Sequence, residues 1–181
     1  MKSDVQWFQK DRPEAAPSHL EPRIDYGKLN RQAIKGLEQL EVYLRHSGLD
    51  AGLLDLVKLR ASRINGCAYC LDMHSKDARA RGESEQWLYT LSAWRETPFF
   101  TERERAALAW TEAVTEVFRD HVPDDVYQLA RQQFSECELV DLTLAIVAIN
   151  AWNRLAISFR TVPGTYQVRE TWPTRDEPMV V

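Results

Sequence analysis

The run from Leu139 to Trp152 constrains this chain most, because at helical spacing it is apolar on nearly every side. Ser135 with Glu138 forms a capping box in front of it, so a helix is expected from there to about Arg160. A helix with no polar face packs among other elements or at a subunit interface. Asp141, Thr143 and Asn150 interrupt the run, and it reads as too short for a bilayer span. It is therefore expected as a central core helix or at a subunit interface.

The pattern upstream predicts the helices that surround it. Apolar residues recur as Leu29, Ala33, Ile34, Leu37, Leu40, Tyr43 and Leu44, and that stripe stops at Ser47-Gly48. Asp50 can cap a second helix over about 51–64, with Leu53, Leu54, Leu56, Val57, Leu59 and Ile64 as a broad apolar face. Asn65-Gly66 breaks it. A third helix begins at or just before Cys67 and runs to about Arg81, with Gly82 as its C-terminal cap. Ser84 opens a short fourth helix that ends before Pro98. Thr101 with Glu104 is a further capping box, leading a fifth helix through Ala106 to Phe118. Pro123 starts a sixth that reaches Phe134.

No segment has strand period and no repeat is present, so the expected fold class is all-α, with about seven helices in one domain over 25–162. Residues 1–24 read as a flexible polar arm, with Trp7 and Phe8 able to dock on a neighbouring surface. Residues 163–181 read as an extended tail. A chain of 181 residues suits a single well-buried core. The net charge of -4, with no basic block, excludes a nucleic-acid binder. No apolar signal segment opens the sequence, and a reducing cytoplasm is expected.

Three cysteines, two of them in one tetrapeptide, do not make a disulfide framework. In a reducing compartment a C-x-x-C pair is more often catalytic or metal-binding than structural. Cys67, Cys70 and His74 share one helix face, and neighbours at i and i+3 lie about 5–6 Å apart, within reach of a disulfide. An ordinary thiol is only about 3% thiolate at pH 7. Two features favour the thiolate here, and they act on different sulfurs. The helix N-terminus favours charge on Cys67, and the imidazole one turn beyond Cys70 can take that proton. Asp55 lies 67 − 55 = 12 residues upstream of Cys67 on the preceding helix. A fold-back at Asn65-Gly66 could bring it near the thiols, to orient His74 or hold a water. A tetrahedral zinc site of Cys67, Cys70, His74 and Asp55 is chemically possible, although three of those groups lie on a single helix. No metal and no cofactor are expected. Cys137 has no partner in the sequence pattern.

The run Asp55 to His74, with an acidic residue, then C-x-x-C-x-x-x-H, resembles the core of the alkylhydroperoxidase AhpD family within the carboxymuconolactone decarboxylase superfamily. The similarity extends from about Ala51 to Phe118 and more loosely to Ile149-Asn150-Ala151-Trp152-Asn153-Arg154. The resemblance implies an oligomeric all-helical fold, a homodimer, trimer or hexamer. It implies a thiol-dependent peroxidase or disulfide oxidoreductase for antioxidant defence. Cys70 would attack the hydroperoxide, Cys67 would resolve to a disulfide, and His74 and Asp55 would relay protons. An external dithiol or disulfide-reductant protein would reset the pair. Two positions depart from the family pattern: Asp55 stands where Glu is usual, and Tyr69 stands where the best-known branch has His. Other readings are a redox sensor or adaptor whose dithiol switches binding, and a lyase of the decarboxylase type, which would need no cysteine pair.

Overall fold

The computed structural model describes residues 21–168, and everything regular among them is helical. In chain order the helices are α1 (Tyr26–Leu29), α2 (Arg31–Arg45), α3 (Ala51–Asn65), α4 (Ala68–Ala80) and α5 (Glu85–Thr90), a 3₁₀ segment (Leu91–Glu96), then α6 (Glu102–Thr115), α7 (Val117–Asp120), α8 (Asp124–Gln133) and α9 (Glu136–Phe159). The expected seven are present, with boundaries set by the residues that predicted them. Asp50 Oδ1 accepts from Leu53 N–H at 3.0 Å and starts α3. Both capping boxes form, at Thr101/Glu104 and Ser135/Glu138. Gly66 ends α3 in the left-handed region at φ 69°, which glycine adopts without steric cost. The count differs by the one-turn helices α1 and α7. Four residues are too few to display a 3.6-residue period, so no apolar stripe announces them.

The centre of the molecule is α3 packed on α4, α6 and α9. Leu56, Val57 and Leu59 of α3 meet Leu108 of α6 and Leu142 and Ile146 of α9 with no exposure to solvent. Each such side chain contributes about 1.5–3 kcal/mol by leaving water. By length and hydropathy the 24-residue α9 could cross a membrane, so length alone does not dismiss that reading. One side of it packs on α2, α3, α4, α6 and α8, burying Leu142, Ala145, Ile146, Ala148 and Ile149, while Val140, Val147 and Ile157 on α9 remain exposed.

Both described chain ends are tied down. Arg23 N–H donates to Phe159 O and its guanidinium to Ser158 O, each at 3.0 Å. At the other end the backbone after α9 crosses α4. Gly164 N–H donates to Asp72 Oδ2 at 2.9 Å, Lys76 Nζ to Tyr166 O at 3.0 Å, and Tyr166 O–H to Asp77 Oδ1 at 2.7 Å. The expected arm and tail otherwise fall on residues 1–20, with Trp7 and Phe8, and 169–181, which lie outside the described residues.

Candidate active site

The turn between α3 and α4 builds the dithiol. Cys67 is the N-cap of α4, and its own N–H reaches back to Ser62 O at 3.0 Å. Cys70 sits in the first turn, and the two sulfurs are 2.7 Å apart. Both cysteines are free, with 1% and 2% of their surface exposed. Hydrogen bonding from the Cys70 thiol, helped by the N–H groups of Cys70 and Tyr69 at the helix start, brings Cys67 down to about 7 against the opposing effect of burial. Cys70 is pushed far up by its hydrogen bond to Cys67, by burial and by the neighbouring charge. Of the two thiols Cys67 is therefore the one favoured as thiolate, first by the Cys70 thiol and then by the N–H groups of the helix start.

His74 lies one turn beyond Cys70 and is buried. Burial, with Lys58 and Arg81 nearby, holds its pKa well below the ordinary histidine value, so the ring is neutral at pH 7 and able to accept a proton. Its Nδ1 has no hydrogen-bond partner, and Asp77 Oδ2 stands 4.0 Å away. Lys58 itself is held by Glu41 at 2.5 Å.

The structure places Asp55 on the same α3–α4 seam and engages it with a different group from the one expected. Its carboxylate is taken by the Arg81 guanidinium at the C-terminal end of α4, with Nε at 2.6 Å. Burial raises Asp55 to about 6 in spite of that partner. Arg60 and Arg63, the obvious partners in the sequence, are occupied by Glu112 and by Leu88 O with Ser92. Cys67 and Cys70 are thus in contact, whereas His74, one helical turn beyond Cys70, has Lys58 and Arg81 as its charged neighbours and the Asp77 carboxylate 4.0 Å from its ring.

Sequence reasoning assigned no role to Asn153. It is completely buried on α9, where its Nδ2 donates to Ser62 Oγ at 3.0 Å and its Oδ1 accepts from Asn65 Nδ2 at 2.8 Å, and its carboxamide favours the ionised forms of the nearby thiols. Its neighbours Ile149 and Ala156 pack with Ala61 on the two cysteines, and half-buried Tyr69 and Trp152 cover them. Tyr26 of α1 completes the cover, stacking on Phe159 with ring centres 5.6 Å apart; burial first, and then the adjacent sulfurs, raise its phenol. A polar side chain breaking an apolar helix face was the signal available, since a buried amide requires partners.

The family model for the carboxymuconolactone decarboxylase family matches residues 30–113, which include Asp55, Cys67, Cys70 and His74. The uncharacterized protein YdfG of Bacillus subtilis is 39% identical over 139 residues, 77% of this chain and 95% of that one. The chain belongs to the carboxymuconolactone decarboxylase family. Within the family its fold is AhpD-like. The crystal structure of ATU0492 from Agrobacterium tumefaciens, a protein of unknown function linked by name to AhpD and antioxidant defence, superposes with a TM-score of 0.78 at 47% identity. That match covers 81% of this chain and all of the other. A peroxidase-related protein from Silicibacter sp. TM1040 shares the fold at 21% identity and a TM-score of 0.67, covering 75% of this chain and 72% of that one.

Proposed function

We propose that this family member is a thiol-dependent peroxidase, reducing hydroperoxides through Cys67 and Cys70. The observation that carries the reading is the buried pair of sulfurs 2.7 Å apart at a helix start, with a buried imidazole one turn on. The family and the name of the ATU0492 relative support the same reading.

The proton of Cys70 passes to Cys67, and the Cys70 thiolate so formed attacks a peroxide oxygen. An S–O bond forms as the O–O bond breaks, and the departing alkoxide takes that proton back from Cys67, with His74 as the relay, and leaves as an alcohol. Cys67, again a thiolate, then attacks the Cys70 sulfenic acid. The S–S bond forms, and hydroxide leaves with a proton from solvent as water. An external dithiol reduces the disulfide and closes the cycle. Asp55 acts through Arg81, and with Asp77 sets the charge around His74.

Peroxide consumption with a dithiol reductant tests this directly. Cys70→Ser should lower it by at least about 10²-fold, the range of a lost nucleophile or its base. Mass spectrometry after substoichiometric peroxide should find the sulfenic acid on residue 70 in a Cys67→Ser chain. Unchanged turnover in Cys70→Ser refutes the peroxidase reading. The near-complete burial of both sulfurs favours one competing reading, a redox switch whose output is binding. Oxidation that alters association without steady-state turnover would select it.

A further inference from the structure

We propose that Asp77 is the positioning carboxylate of His74, keeping the ring hydrogen on Nδ1, and that Tyr166, from the segment after α9, holds Asp77 in place to do so. The inference rests on the reading in which His74 relays a proton, and it concerns which ring nitrogen takes it.

Cys70, His74 and Asp77 stand at i, i+4 and i+7 on α4, one after the other on the same helix face. His74 and Asp77 are both buried, with 7% and 2% of their surface exposed. A buried ring nitrogen is costly to leave unpaired. His74 Nδ1 is such a nitrogen: it makes no hydrogen bond, and Asp77 Oδ2 is 4.0 Å from it. That is an ion-pair separation, longer than the about 2.7–3.2 Å of a hydrogen bond. Such contacts are often long in a resting site and tighten when the reacting complex forms.

The other charged groups around the ring are engaged elsewhere. Lys58 of α3 gives its ammonium to Glu41 of α2 at 2.5 Å, and Arg81 gives its guanidinium to Asp55 of α3, with Nε at 2.6 Å. Neither cation donates to Nδ1. The group facing Nδ1 is thus an acceptor, and an acceptor is matched by an N–H and opposed by a lone pair. In a neutral imidazole, a hydrogen on Nδ1 leaves Nε2 as the basic nitrogen. Asp77 in this way makes His74 work through Nε2, and its charge favours the imidazolium while the ring carries the relayed proton.

Asp77 is itself held from outside the helix. Tyr166, 89 residues further on, donates its O–H to Asp77 Oδ1 at 2.7 Å, which turns Oδ2 to the side of His74. The segment that carries Tyr166 is anchored on α4 as well, through Lys76 Nζ to Tyr166 O at 3.0 Å and Gly164 N–H to Asp72 Oδ2 at 2.9 Å. The backbone after α9 therefore reaches the imidazole through one carboxylate.

The test is the nitrogen-15 NMR spectrum of the histidine rings at pH 7, on the reduced full-length protein with no peroxide present. Protonated and bare ring nitrogens resonate far apart, and His74→Gln identifies the His74 signals among the four histidines. In the unaltered protein Nδ1 should be the protonated nitrogen and Nε2 the bare one. Asp77→Asn, whose amide can donate to Nδ1, should make the Nε2–H form predominate, and Tyr166→Phe should raise the share of that form. A bare Nδ1 in the unaltered protein overturns the proposal whether or not the variants fold. An Nδ1–H ring in Asp77→Asn overturns it as well, and an unmoved ratio in Tyr166→Phe overturns the part given to Tyr166. In peroxide turnover with a dithiol reductant, Asp77→Asn should lower kcat at least about tenfold and leave KM close to the parent's. A fall in kcat with the tautomer unmoved would make Asp77 merely structural. A tautomer set by Asp77 in a protein without peroxide turnover would sustain the positioning role and sink the peroxidase reading, so the two fail separately.

Discussion

At the scale of single residues, the site is a set of buried groups whose charges are decided by their neighbours. His74 and Asp55 make opposite contributions to stability on acidification. His74 is held neutral, so below about 6.5 the unfolded chain takes up a proton that the folded chain refuses, and stability falls with pH. Asp55 is raised to about 6, so between there and about 4 the folded chain holds a proton that the unfolded one has lost, and stability rises as pH falls through that window. Urea unfolding at pH 7, 5.5 and 4.5 separates the two. His74→Gln should lose less stability on acidification than the parent, and Asp55→Asn should lose more. Coincident profiles for the parent and both variants would show that neither group is titrating as its burial dictates.

At the scale of elements, much was legible because the relevant signals are local. The serine, threonine and aspartate caps, the Asn65-Gly66 stop and the apolar stripes each act over a few residues, and they place α2, α3, α4, α6, α8 and α9 to within a few positions. Where the cause is tertiary, the sequence offered nothing to read. Leu91–Glu96 tightens into a 3₁₀ segment around Trp94, whose indole donates to Glu112 at 2.7 Å, and Glu112 also binds Arg60 and Arg95. A helical apolar pattern cannot announce that cluster in advance. The end of α7 is a second such case. His121 adopts φ 55°, ψ -138°, a region that side chains disfavour by about 1–3 kcal/mol. His121→Gly should therefore stabilise the protein by about 1 kcal/mol and raise the melting temperature by about 2–4 °C. An unchanged or lower melting temperature would mean that the histidine side chain offsets its own backbone cost.

At the scale of the whole molecule, α4 is enclosed from three directions: α3 beneath, α9 alongside, and the residues after α9 across its outer surface. Tyr166 fastens that last segment through Asp77, the carboxylate nearest His74. Tyr166→Phe removes one hydrogen bond to a carboxylate and should cost about 1.5–3 kcal/mol. It should also speed hydrogen exchange over 161–168, measured by mass spectrometry; unchanged exchange there would show that the Gly164 and Lys76 bonds suffice. This scale also explains what the sequence concealed about the site. The cysteines and His74 stand within eight positions on one helix and are legible as a motif. Arg81 as the partner of Asp55, and Asn153 as the partner of Ser62 beside the dithiol turn, are juxtapositions made by packing, and no spacing rule joins them.

That separation has a consequence for the chain as it is being made. Ser62 and Asn153 are 91 residues apart, so the segment bearing Cys67 and Cys70 is synthesised well before the helix that completes its surroundings. While α9 is missing, the two cysteines lack the apolar cover of Ile149, Trp152 and Ala156. The buried dithiol is therefore complete only once the last helix has been made and has docked.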